Sequence, residues 1–403
     1  MKIGIIGGGA SGIVASIAAS KSGADVTVLE RTESVLNKFV LSGGGRCNIS
    51  NENLSEKYYS GGSKNFIRNI LNGFNKDALL SLLNEIGSKY YIEKDGRIYT
   101  GDAKETAYKL INYTASLGTE IVYRAFVEKA EIEDNRFLLY YKNSAQTFDR
   151  IIIATGGKSY PQTGSDGYGY VIAESFGHHI VHPLPGLISL NLKPDPFSRL
   201  QGITVDAEII LRNRRLKIEE RQSGRLLFTH SGISGPATMN ISGRYIRISR
   251  EKETSVYINF IPHHTKKQIE EIFQQEIISS GKKRVINLLK RFLPDRLAER
   301  ILSLSEVPKE RIVAELKKEE RLRLIENLTN FKINVSGSKG FRTAHITTGG
   351  VSVDEVRSNT LESRLVKGLF FAGEILDVDG FEGGYNLHWA FATGYISGKN
   401  VAK

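Results

Sequence analysis

The first thirty residues combine two apolar runs with a glycine-rich turn. Residues 2–6 are a short apolar run typical of a buried parallel strand, and residues 24–30 form a second run that ends on an acid. Between them lie the turn Gly7-Gly8-Gly9-Ala10-Ser11-Gly12 and the small, helix-compatible residues 13–19. This order of strand, turn, helix and strand is the context in which G-x-G-x-x-G indicates a dinucleotide-binding turn.

Each glycine of this turn has an expected task. Gly7 permits the tight turn, Gly9 lets a pyrophosphate approach the backbone, and Gly12 packs the helix against the strand. Ala10 and Ser11 open the helix, whose N-terminal N–H groups attract negative charge. We therefore expect the pyrophosphate of a dinucleotide at this helix N-terminus.

The second strand ends on Glu30, 18 positions past Gly12, with Arg31 beside it. Glu30 is expected to accept a hydrogen bond from the adenosine ribose, and an acid here disfavours the 2′-phosphate of NADP. In an alternative interpretation the uncharged residues 3–20 form a signal peptide or membrane helix. Five glycines interrupt that stretch, and the second strand follows on schedule, which favours the nucleotide interpretation.

The periodicity changes several times along the rest of the chain. Helical spacing dominates residues 58–118, short strands follow over 119–153, and residues 187–261 are again rich in strand patterns. Helical stripes return over 265–328. We expect a nucleotide-binding domain in two parts, 1–188 and 342–403, a β-rich substrate domain over 189–262 with a return strand in 328–341, and a helical insertion over 263–327.

Composition describes an ordinary globular protein, with 40% hydrophobic and 25% charged residues among 403. We expect a cytoplasmic protein without a membrane partner. The single cysteine, Cys47, excludes an intramolecular disulfide, a redox-active cysteine pair and a cysteine-built metal site.

The net charge of +11 is unevenly distributed. Residues 199–252 contain eleven Lys or Arg against five Asp or Glu. Such an excess is typical of nucleic-acid or anion binding, but it also describes a solvated basic surface. Aromatic residues do not alternate with the basic ones as in a base-stacking platform, and this favours the solvated surface.

Glycines also close other predicted strands or open helices. They occur at 43–45, at 156–157 after the strand 150–153, and at 383–384 before a final helix, with Gly373-Glu374 ending another strand. FAD is a long cofactor that must be held along its whole length, and these returns of the chain fit that need. The helix near Asn386 could direct its N–H groups at the negative charge of reduced flavin.

These motifs resemble the BaiN-like family of bacterial flavoproteins, whose relatives include an aminoacetone oxidase. The resemblance covers nearly the whole chain in order and is carried by residues 7–12, Ser42-Gly43-Gly44-Gly45-Arg46-Cys47-Asn48, Gly156-Gly157-x-Ser159-x-Pro161-x-Thr163-Gly164, Thr229-His230-x-Gly232-Ile233-Ser234-Gly235-Pro236, Thr348-Gly349-Gly350-Val351 and Gly373-Glu374-x-x-Asp377-Val378-Asp379-Gly380-x-x-Gly383-Gly384-Tyr385-Asn386.

The resemblance implies an α/β fold: a Rossmann-type, glutathione-reductase-like FAD domain, an inserted β-barrel-like domain and a small helical domain. Together with the glycine-rich turns it gives the residues expected to contact FAD, which are Gly7, Gly9, Ala10, Ser11, Gly12, Glu30, Arg31, Ser42, Gly43, Gly44, Gly45, Arg46, Cys47, Asn48, Val127, Ala154, Thr155, Gly156, Gly157, Gly349, Gly350, Gly373, Glu374, Asp377, Gly383, Gly384, Tyr385 and Asn386.

The chain departs from the family pattern at two places. Leu36-Asn37-Lys38 occupies the position of the usual Gly-Arg-Lys, so an arginine contact from position 37 is lost. His388 replaces a usual glutamine and would place a titratable ring near the flavin.

Four residues are candidates for acid–base catalysis: His388, His345, His230 and Tyr160. For each, a structural hydrogen-bonding role is the alternative, and a lone Cys47 is more simply a small buried residue than a flavin-reactive thiol. Asp377 and Asp379 have metal-like spacing, but no clustered histidine or further acid accompanies them, so we expect no metal.

The sequence therefore predicts an FAD-dependent oxidoreductase that moves a hydride between the flavin and a small organic substrate. Two alternatives stay open: a flavin-dependent nucleic-acid-modifying enzyme that uses the basic middle segment, and a non-enzymatic flavin redox sensor. No second complete G-x-G-x-x-G with its own acid is present, so NADH or NADPH is expected only as a transient co-substrate. Reductase against oxidase, the substrate and the oligomeric state stay undecided.

Overall fold

The structure is a computed structural model that describes residues 1–280 and 282–403. Its internal contacts divide the chain into two compact units. Met1–Pro185 and Phe341–Lys403 form the first unit, and Gly186–Gly340 form the second. The finer division into five segments stays a prediction.

The regular elements follow one another in this chain order. The strands are β1 (Lys2–Ile6), β2 (Asp25–Leu29), β3 (Asn48–Asn51), β4 (Tyr59–Gly61), β5 (Tyr91–Ile92), β6 (Arg97–Tyr99), β7 (Glu120–Val122), β8 (Lys129–Glu133), β9 (Arg136–Tyr141), β10 (Ser144–Phe148), β11 (Arg150–Ile153), β12 (Ile180–Gly186), β13 (Leu190–Leu192), β14 (Thr204–Asn213), β15 (Ile218–Phe228), β16 (Gly232–Ser234), β17 (Thr254–Asn259), β18 (Phe331–Ile333), β19 (Val335–Gly337), β20 (Ile346–Val351), β21 (Leu369–Phe371) and β22 (Val378–Gly380). The α-helices are α1 (Ala10–Lys21), α2 (Asn37–Val40), α3 (Lys64–Gly73), α4 (Lys76–Glu85), α5 (Ala103–Ser116), α6 (Tyr168–Ser175), α7 (Pro236–Ile248), α8 (Lys266–Ser280), α9 (Val285–Leu289), α10 (Asp295–Leu304), α11 (Lys318–Thr329) and α12 (Tyr385–Val401).

A five-stranded parallel sheet forms the centre of the first unit, in the order β21-β11-β1-β2-β7. Ile5 of β1 pairs with Val28 of β2 and with Ile152 of β11. These three side chains are fully buried in a cluster with Ala15 of α1 and Val401 of α12, which cover this face of the sheet. The carboxyl ends of β1, β11 and β21 therefore lie side by side at one edge.

Helices α1 and α12 pack against each other with almost no side chain between their backbones. A Cβ atom on Gly394 would lie 2.4 Å from the carbonyl oxygen of Ser11, and one on Gly398 would lie 2.2 Å from that of Ala15. Both pairs advance by four residues in the same direction, so the two helices run parallel. Helix α1 is apolar on most sides because it is buried along Ser11–Ala19.

The alternative of a membrane helix over residues 3–20 is not what the chain forms, since β1, the glycine turn and α1 divide that stretch. No helix within residues 1–280 and 282–403 is long and apolar enough to cross a membrane.

The second unit contains an antiparallel sheet in the order β18-β17-β14-β15-β16-β13-β19. Its two end strands, β18 and β19, are consecutive in the chain, so the sheet curls toward closure. Phe197, Phe228 and Phe260 pack together in its core with ring centroids 5.0–6.4 Å apart, and helices α8 to α11 contribute the remaining apolar side chains.

The contact of α1 with α12 makes a first prediction. Gly398→Ala should lower the free energy of unfolding by about 1–3 kcal/mol, because its new methyl group meets backbone that must move. Lys399→Ala, next along α12 but exposed, should change it by less than about 0.5 kcal/mol. Urea unfolding monitored by circular dichroism measures both, and equal stability of the two variants would contradict this account of the packing.

Candidate functional site

Three glycine-containing turns meet at the carboxyl edge of the parallel sheet. They follow β1, β11 and β21 and span residues 7–12, 154–157 and 373–374. A Cβ atom on Gly7 would lie 2.7 Å from the carbonyl oxygen of Ala154, and one on Gly373 would lie 2.4 Å from Ser11 Oγ. The residues of these three predicted turns therefore lie close together at the carboxyl edge of the sheet.

The N-terminus of α1 is open toward this edge. Gly9 precedes the helix with an ordinary φ of −74°, no described side chain caps the helix, and its first turn contains no acid. A Cβ atom on Gly9 would meet no described atom within 4 Å, whereas one on Gly12 would lie 1.9 Å from the carbonyl oxygen of Gly7. Gly12 is thus required by packing, while Gly9 leaves a space in front of uncapped, electropositive N–H groups.

Glu30 fastens the glycine turn from the end of β2. Its Oε2 accepts a hydrogen bond from Gly8 N at 2.8 Å, and its Oε1 accepts two from Thr32, from N at 2.8 Å and from Oγ1 at 2.7 Å. The carboxylate is buried, and Oε2 retains acceptor capacity for a further hydroxyl.

Arg31 lies on an aromatic surface that the sequence analysis did not identify. Its guanidinium is 4.7 Å from the ring centroid of Phe126 and 2.6 Å from Asp166 Oδ2. Val127, which was expected to contact the cofactor, is buried directly after Phe126. The sequence offered one signal for the contact with Phe126, since this aromatic residue precedes Val127. It offered none for the pairing of Arg31 with Asp166, because these residues are 135 positions apart.

The loop 42–48 meets the N-terminus of α12. A Cβ atom on Gly384, the residue before the helix, would lie 2.7 Å from the side chain of Asn48, the last residue of the loop, and 2.3 Å from the carbonyl oxygen of Ser50 in β3. Gly384 adopts a left-handed conformation with φ of 95°, no described side chain caps α12, and its first turn contains no acid. Tyr385 and Asn386 begin the helix, and the amide of Asn386 bonds to Gly380 N and Gly380 O, both at 2.8 Å.

Within that loop, Gly43 and Gly44 adopt left-handed conformations in the short turn Ser42–Gly45. Arg46 points outward, with its guanidinium 4.5 Å from the Tyr99 ring centroid and 3.0 Å from Glu93 Oε1. Cys47 is fully buried, and burial raises the pKa of its thiol to about 11. The thiol is therefore protonated near neutral pH and fits the role of a small buried residue.

The two open helix N-termini are displaced along a common direction. Ser11 is the second residue of α1 but lies beside Gly394, the tenth residue of α12. The offset of eight residues corresponds to roughly 12 Å along the helix axis. Two electropositive backbone sites with the same orientation thus lie roughly 12 Å apart.

A polar network that the sequence analysis did not identify lies beside this interval. Lys38 Nζ is 2.5 Å from both Ser159 Oγ and Glu374 Oε2. Glu374 Oε1 accepts hydrogen bonds from Ser159 Oγ at 2.8 Å and from Thr347 N at 2.6 Å. Lys38 follows the divergent pair Leu36-Asn37 and is the residue retained from the family pattern.

Two of the four catalytic candidates lie next to this network. The rings of Tyr160 and His345 are 6.2 Å apart, and Tyr160 has a left-handed backbone with φ of 54°. The His345 side chain is exposed, and partial desolvation followed by the charge of Lys38 lowers its pKa.

The other two candidates lie elsewhere. His388 is fully buried in α12, where Nε2 donates to Phe74 O at 3.0 Å and Nδ1 faces Ser50 Oγ at 2.9 Å. Burial lowers the pKa of His388 to about 4, so the ring is a neutral part of the core and its geometry does not favour acid–base catalysis. His230 is exposed in the second unit.

Close packing against neighbouring backbone requires glycine at positions 349 and 350 in β20. Their Cβ atoms would lie 2.5 Å from His182 O and 2.4 Å from Ile375 O. Asp379 Oδ1 accepts a hydrogen bond from Thr348 Oγ1 at 2.7 Å. No group of three or more His, Cys, Asp or Glu in the described chain could hold a metal ion.

A triad-like arrangement occurs away from the carboxyl edge. His178 Nδ1 is 3.0 Å from Glu355 Oε2, and His178 Nε2 is 2.8 Å from Ser363 Oγ. Ser363 is buried, and its Oγ already accepts from Leu365 N and Val366 N. Its hydroxyl therefore donates to the imidazole, and because Ser363 and His178 are both buried, the arrangement fits a structural role in this loop.

Comparison with known proteins agrees with this architecture. The model of the family described as HI0933-like protein Rossmann domain matches residues 1–400. The chain belongs to this family. The match confirms the resemblance noted on the sequence and the Rossmann-type α/β fold class, here with a parallel sheet and a curled antiparallel sheet.

Named relatives of the family are enzymes. The chain is 34% identical to the 3-dehydro-bile acid delta(4,6)-reductase of Clostridium scindens, covering 100% of this chain and 99% of the relative. It is 31% identical to the ribosomal RNA dihydrouridine synthase of Haemophilus influenzae, covering 99% and 98%. The prediction of an oxidoreductase is thereby confirmed, against the non-enzymatic alternative.

Among solved structures, the 3-ketosteroid-delta4-(5alpha)-dehydrogenase of Rhodococcus jostii RHA1 aligns with a TM-score of 0.54 at 16% identity, covering 100% of this chain and 96% of that protein. At this level of identity the likeness supports the fold alone.

The buried His388 makes a second prediction. Below pH 6.5 its ring is charged in the unfolded chain but stays neutral in the folded one until about pH 4, so acid favours unfolding. Between these pH values the wild type should lose up to about 3 kcal/mol more free energy of unfolding than His388→Gln. Urea titrations across this pH range measure the difference, and identical pH dependence would show that the buried ring titrates normally.

Proposed function

We propose that this protein binds FAD in an extended form and reduces a carbon–carbon double bond conjugated to a carbonyl group. The observation that carries the proposal is the parallel pair α1 and α12, whose uncapped N-termini lie roughly 12 Å apart along one direction. FAD carries negative charge at two such places, on its pyrophosphate and, when reduced, on its ring. A nicotinamide dinucleotide bound at one glycine turn would need only the N-terminus that faces its pyrophosphate.

The residues present fit this cofactor. Gly9 leaves open space in front of α1, as a pyrophosphate requires. The phenol of Tyr170 is a buried hydroxyl with no described hydrogen-bond partner, and its pKa is raised by burial and then by the charges of Glu374 and Asp377. An orphaned donor beside two acids fits a pocket completed by a hydroxyl-bearing ligand.

The chain's own residues would divide the work of binding. The turn 7–12 would hold the pyrophosphate, and Glu30 and Arg31 the adenosine end. Loop 42–48 and the first turn of α12 would hold the ring end. When bound, FAD would supply a hydride after being reduced by a transient nicotinamide.

The substrate class comes from the names of the relatives. A 3-dehydro-delta(4,6) steroid and a uracil each carry a double bond conjugated with a carbonyl group, and those two relatives are named for saturating such a bond. We extend this shared chemistry to the present chain.

Gly9 provides the sharpest test of the cofactor. Gly9→Val should fold, because its φ suits any residue and its Cβ meets no described neighbour, yet it should lose more than about nine-tenths of the bound flavin. Flavin per protein is read from the visible spectrum, and the melting curve with cofactor removed checks folding. Ser22→Val, exposed at the far end of α1, is the control and should keep the cofactor. A Gly9→Val protein that retained full flavin would refute the proposed pyrophosphate site.

A second candidate, reduction of uridine in RNA, is favoured by the basic tip of the second unit. This tip consists of the β14–β15 turn and the adjoining loop before β17, which carry Arg214, Arg215, Lys217, Arg250 and Lys252. All five are exposed, and of these only Arg215 has an ion-pair partner among the described residues, Glu251 at 3.9 Å. The arrangement fits contact with a phosphate backbone.

One experiment separates the two substrates. The protein is reduced with NADPH without oxygen and then offered either 4-androstene-3,17-dione or unmodified bacterial ribosomal RNA. We expect the steroid to re-oxidise the protein and the RNA to leave it reduced. The RNA function would be established instead if RNA alone re-oxidised the protein and the basic tip contributed to RNA binding. In the variant Arg214→Glu/Lys217→Glu/Arg250→Glu, the slope of the logarithm of the binding constant against the logarithm of the salt concentration would then be smaller in magnitude by about 2–3. Re-oxidation by neither would refute the proposed reaction class.

A further inference from the structure

Two unpartnered proton donors lie side by side at the Lys38 network. The phenol of Tyr160 and the ring nitrogens of His345 make no hydrogen bond to any residue within 1–280 or 282–403, while their rings are 6.2 Å apart. Tyr160 is half-buried and His345 is exposed, so the phenol and the ring nitrogens are open to water and to a ligand rather than held by the protein.

The chain holds Tyr160 in a conformation that tyrosine rarely adopts. Its φ and ψ of 54° and 57° are left-handed, and Pro161 follows. Tyr160 N donates to Phe341 O at 3.1 Å, and Tyr160 O accepts from Thr163 N at 2.8 Å and from Thr163 Oγ1 at 2.7 Å. Backbone strain of this kind persists only where the surroundings fix it, and it concentrates at functional sites.

The polar network fixes the two segments that carry these rings. Ser159, adjacent to Tyr160, bonds to both Lys38 and Glu374. Thr347 N donates to Glu374 Oε1, and Ser159 N donates to Thr347 Oγ1 at 3.1 Å. One half-buried carboxylate, that of Glu374, thus ties the segment before Tyr160 to the segment after His345.

This network lies alongside the interval between the two helix N-termini. Gly373, next to Glu374, approaches Ser11 of α1 and donates its N–H to Thr393 Oγ1 of α12 at 2.9 Å. Phe39, next to Lys38, lies 6.2 Å from Phe391, also in α12. The pair of free donors is therefore attached to the flank of the proposed cofactor site.

We propose that Tyr160 is the proton donor of the reaction and that His345 passes protons between Tyr160 and solvent. This inference rests on the proposed function. A hydride from the reduced cofactor forms a C–H bond at the β-carbon of the conjugated substrate, and the π electrons move to the carbonyl oxygen. The resulting enolate takes a proton at its α-carbon from the Tyr160 hydroxyl, and the phenolate regains a proton from water through neutral His345. The substrate gains two electrons and two hydrogens: the hydride, with both electrons, comes from the cofactor, and the proton comes from Tyr160 and in the end from water.

His345 suits the relay role better than the donor role. Its side chain is exposed to solvent, and partial desolvation and the charge of Lys38 lower its pKa and favour the neutral form, in which one ring nitrogen accepts a proton while the other donates.

Tyr160→Phe tests the assignment by comparing two electron acceptors. The reduced protein is mixed without oxygen either with 4-androstene-3,17-dione, whose reduction needs a proton at carbon, or with ferricyanide, which takes electrons alone. Tyr160→Phe should slow re-oxidation by the steroid by on the order of 100-fold and leave re-oxidation by ferricyanide unchanged. Tyr108→Phe, which removes an exposed phenol from α5, is the matched control and should leave both rates unchanged.

The outcomes are distinguishable from failure of the proposed function. If the wild type retains flavin but neither the steroid nor the RNA re-oxidises it, the reaction class fails and the inference fails with it. If the steroid re-oxidises wild type and Tyr160→Phe equally fast, the proposed function stands and Tyr160 is not the donor. If re-oxidation by both acceptors is slowed equally in Tyr160→Phe, the residue acts on the cofactor site rather than on the substrate. This result would also overturn the assignment.

Discussion

The site depends on the backbone contact between α1 and α12. Gly394 and Gly398 let α12 lie directly on the carbonyl oxygens of Ser11 and Ala15, so neither helix can slide without breaking van der Waals contact along its length. This contact sets the distance and the common direction of the two uncapped N-termini. A longer side chain at either glycine would move one end of the proposed cofactor site relative to the other.

A second constraint is a pair of carboxylates, the buried Glu30 and the half-buried Glu374. Glu30 holds the glycine turn through Gly8 N and Thr32, and Glu374 holds the segments of Ser159 and Thr347 with Lys38 as its counter-charge. Each carboxylate is satisfied by several donors, as a charge of this degree of burial requires. The turns are therefore organised by the protein itself, and a ligand would meet prepared groups rather than order them.

Much of this could be predicted from the sequence because it is local. The glycine turn, the strand that ends at Glu30 and the glycine-closed strands show in a few adjacent residues each, and the structure brings these turns to one edge of the sheet. What could not be predicted depends on distant pairs. Lys38 meets Glu374 across 336 positions, and Arg31 meets Asp166 across 135, and neither pair has a periodic signal.

His388 shows the reverse case. Its place in the sequence, two residues after Asn386, suggested a ring beside the ligand, but helical geometry turns position 388 inward, onto Phe74 and Ser50. A sequence motif predicts which element a residue belongs to. The orientation of that residue around the helix axis determines which atoms its side chain contacts.

The order of the strands has a consequence for biosynthesis. Strand β21 and helix α12 lie more than 200 residues after their partners β11 and α1, yet β21 pairs with β11 and α12 covers α1. A ribosome-bound or truncated chain therefore exposes an unpaired sheet edge and an uncovered apolar helix, both of which chaperones and proteases recognise. The cofactor site would be assembled only after β21 and α12 have been made, so cofactor loading would report that both elements are in place.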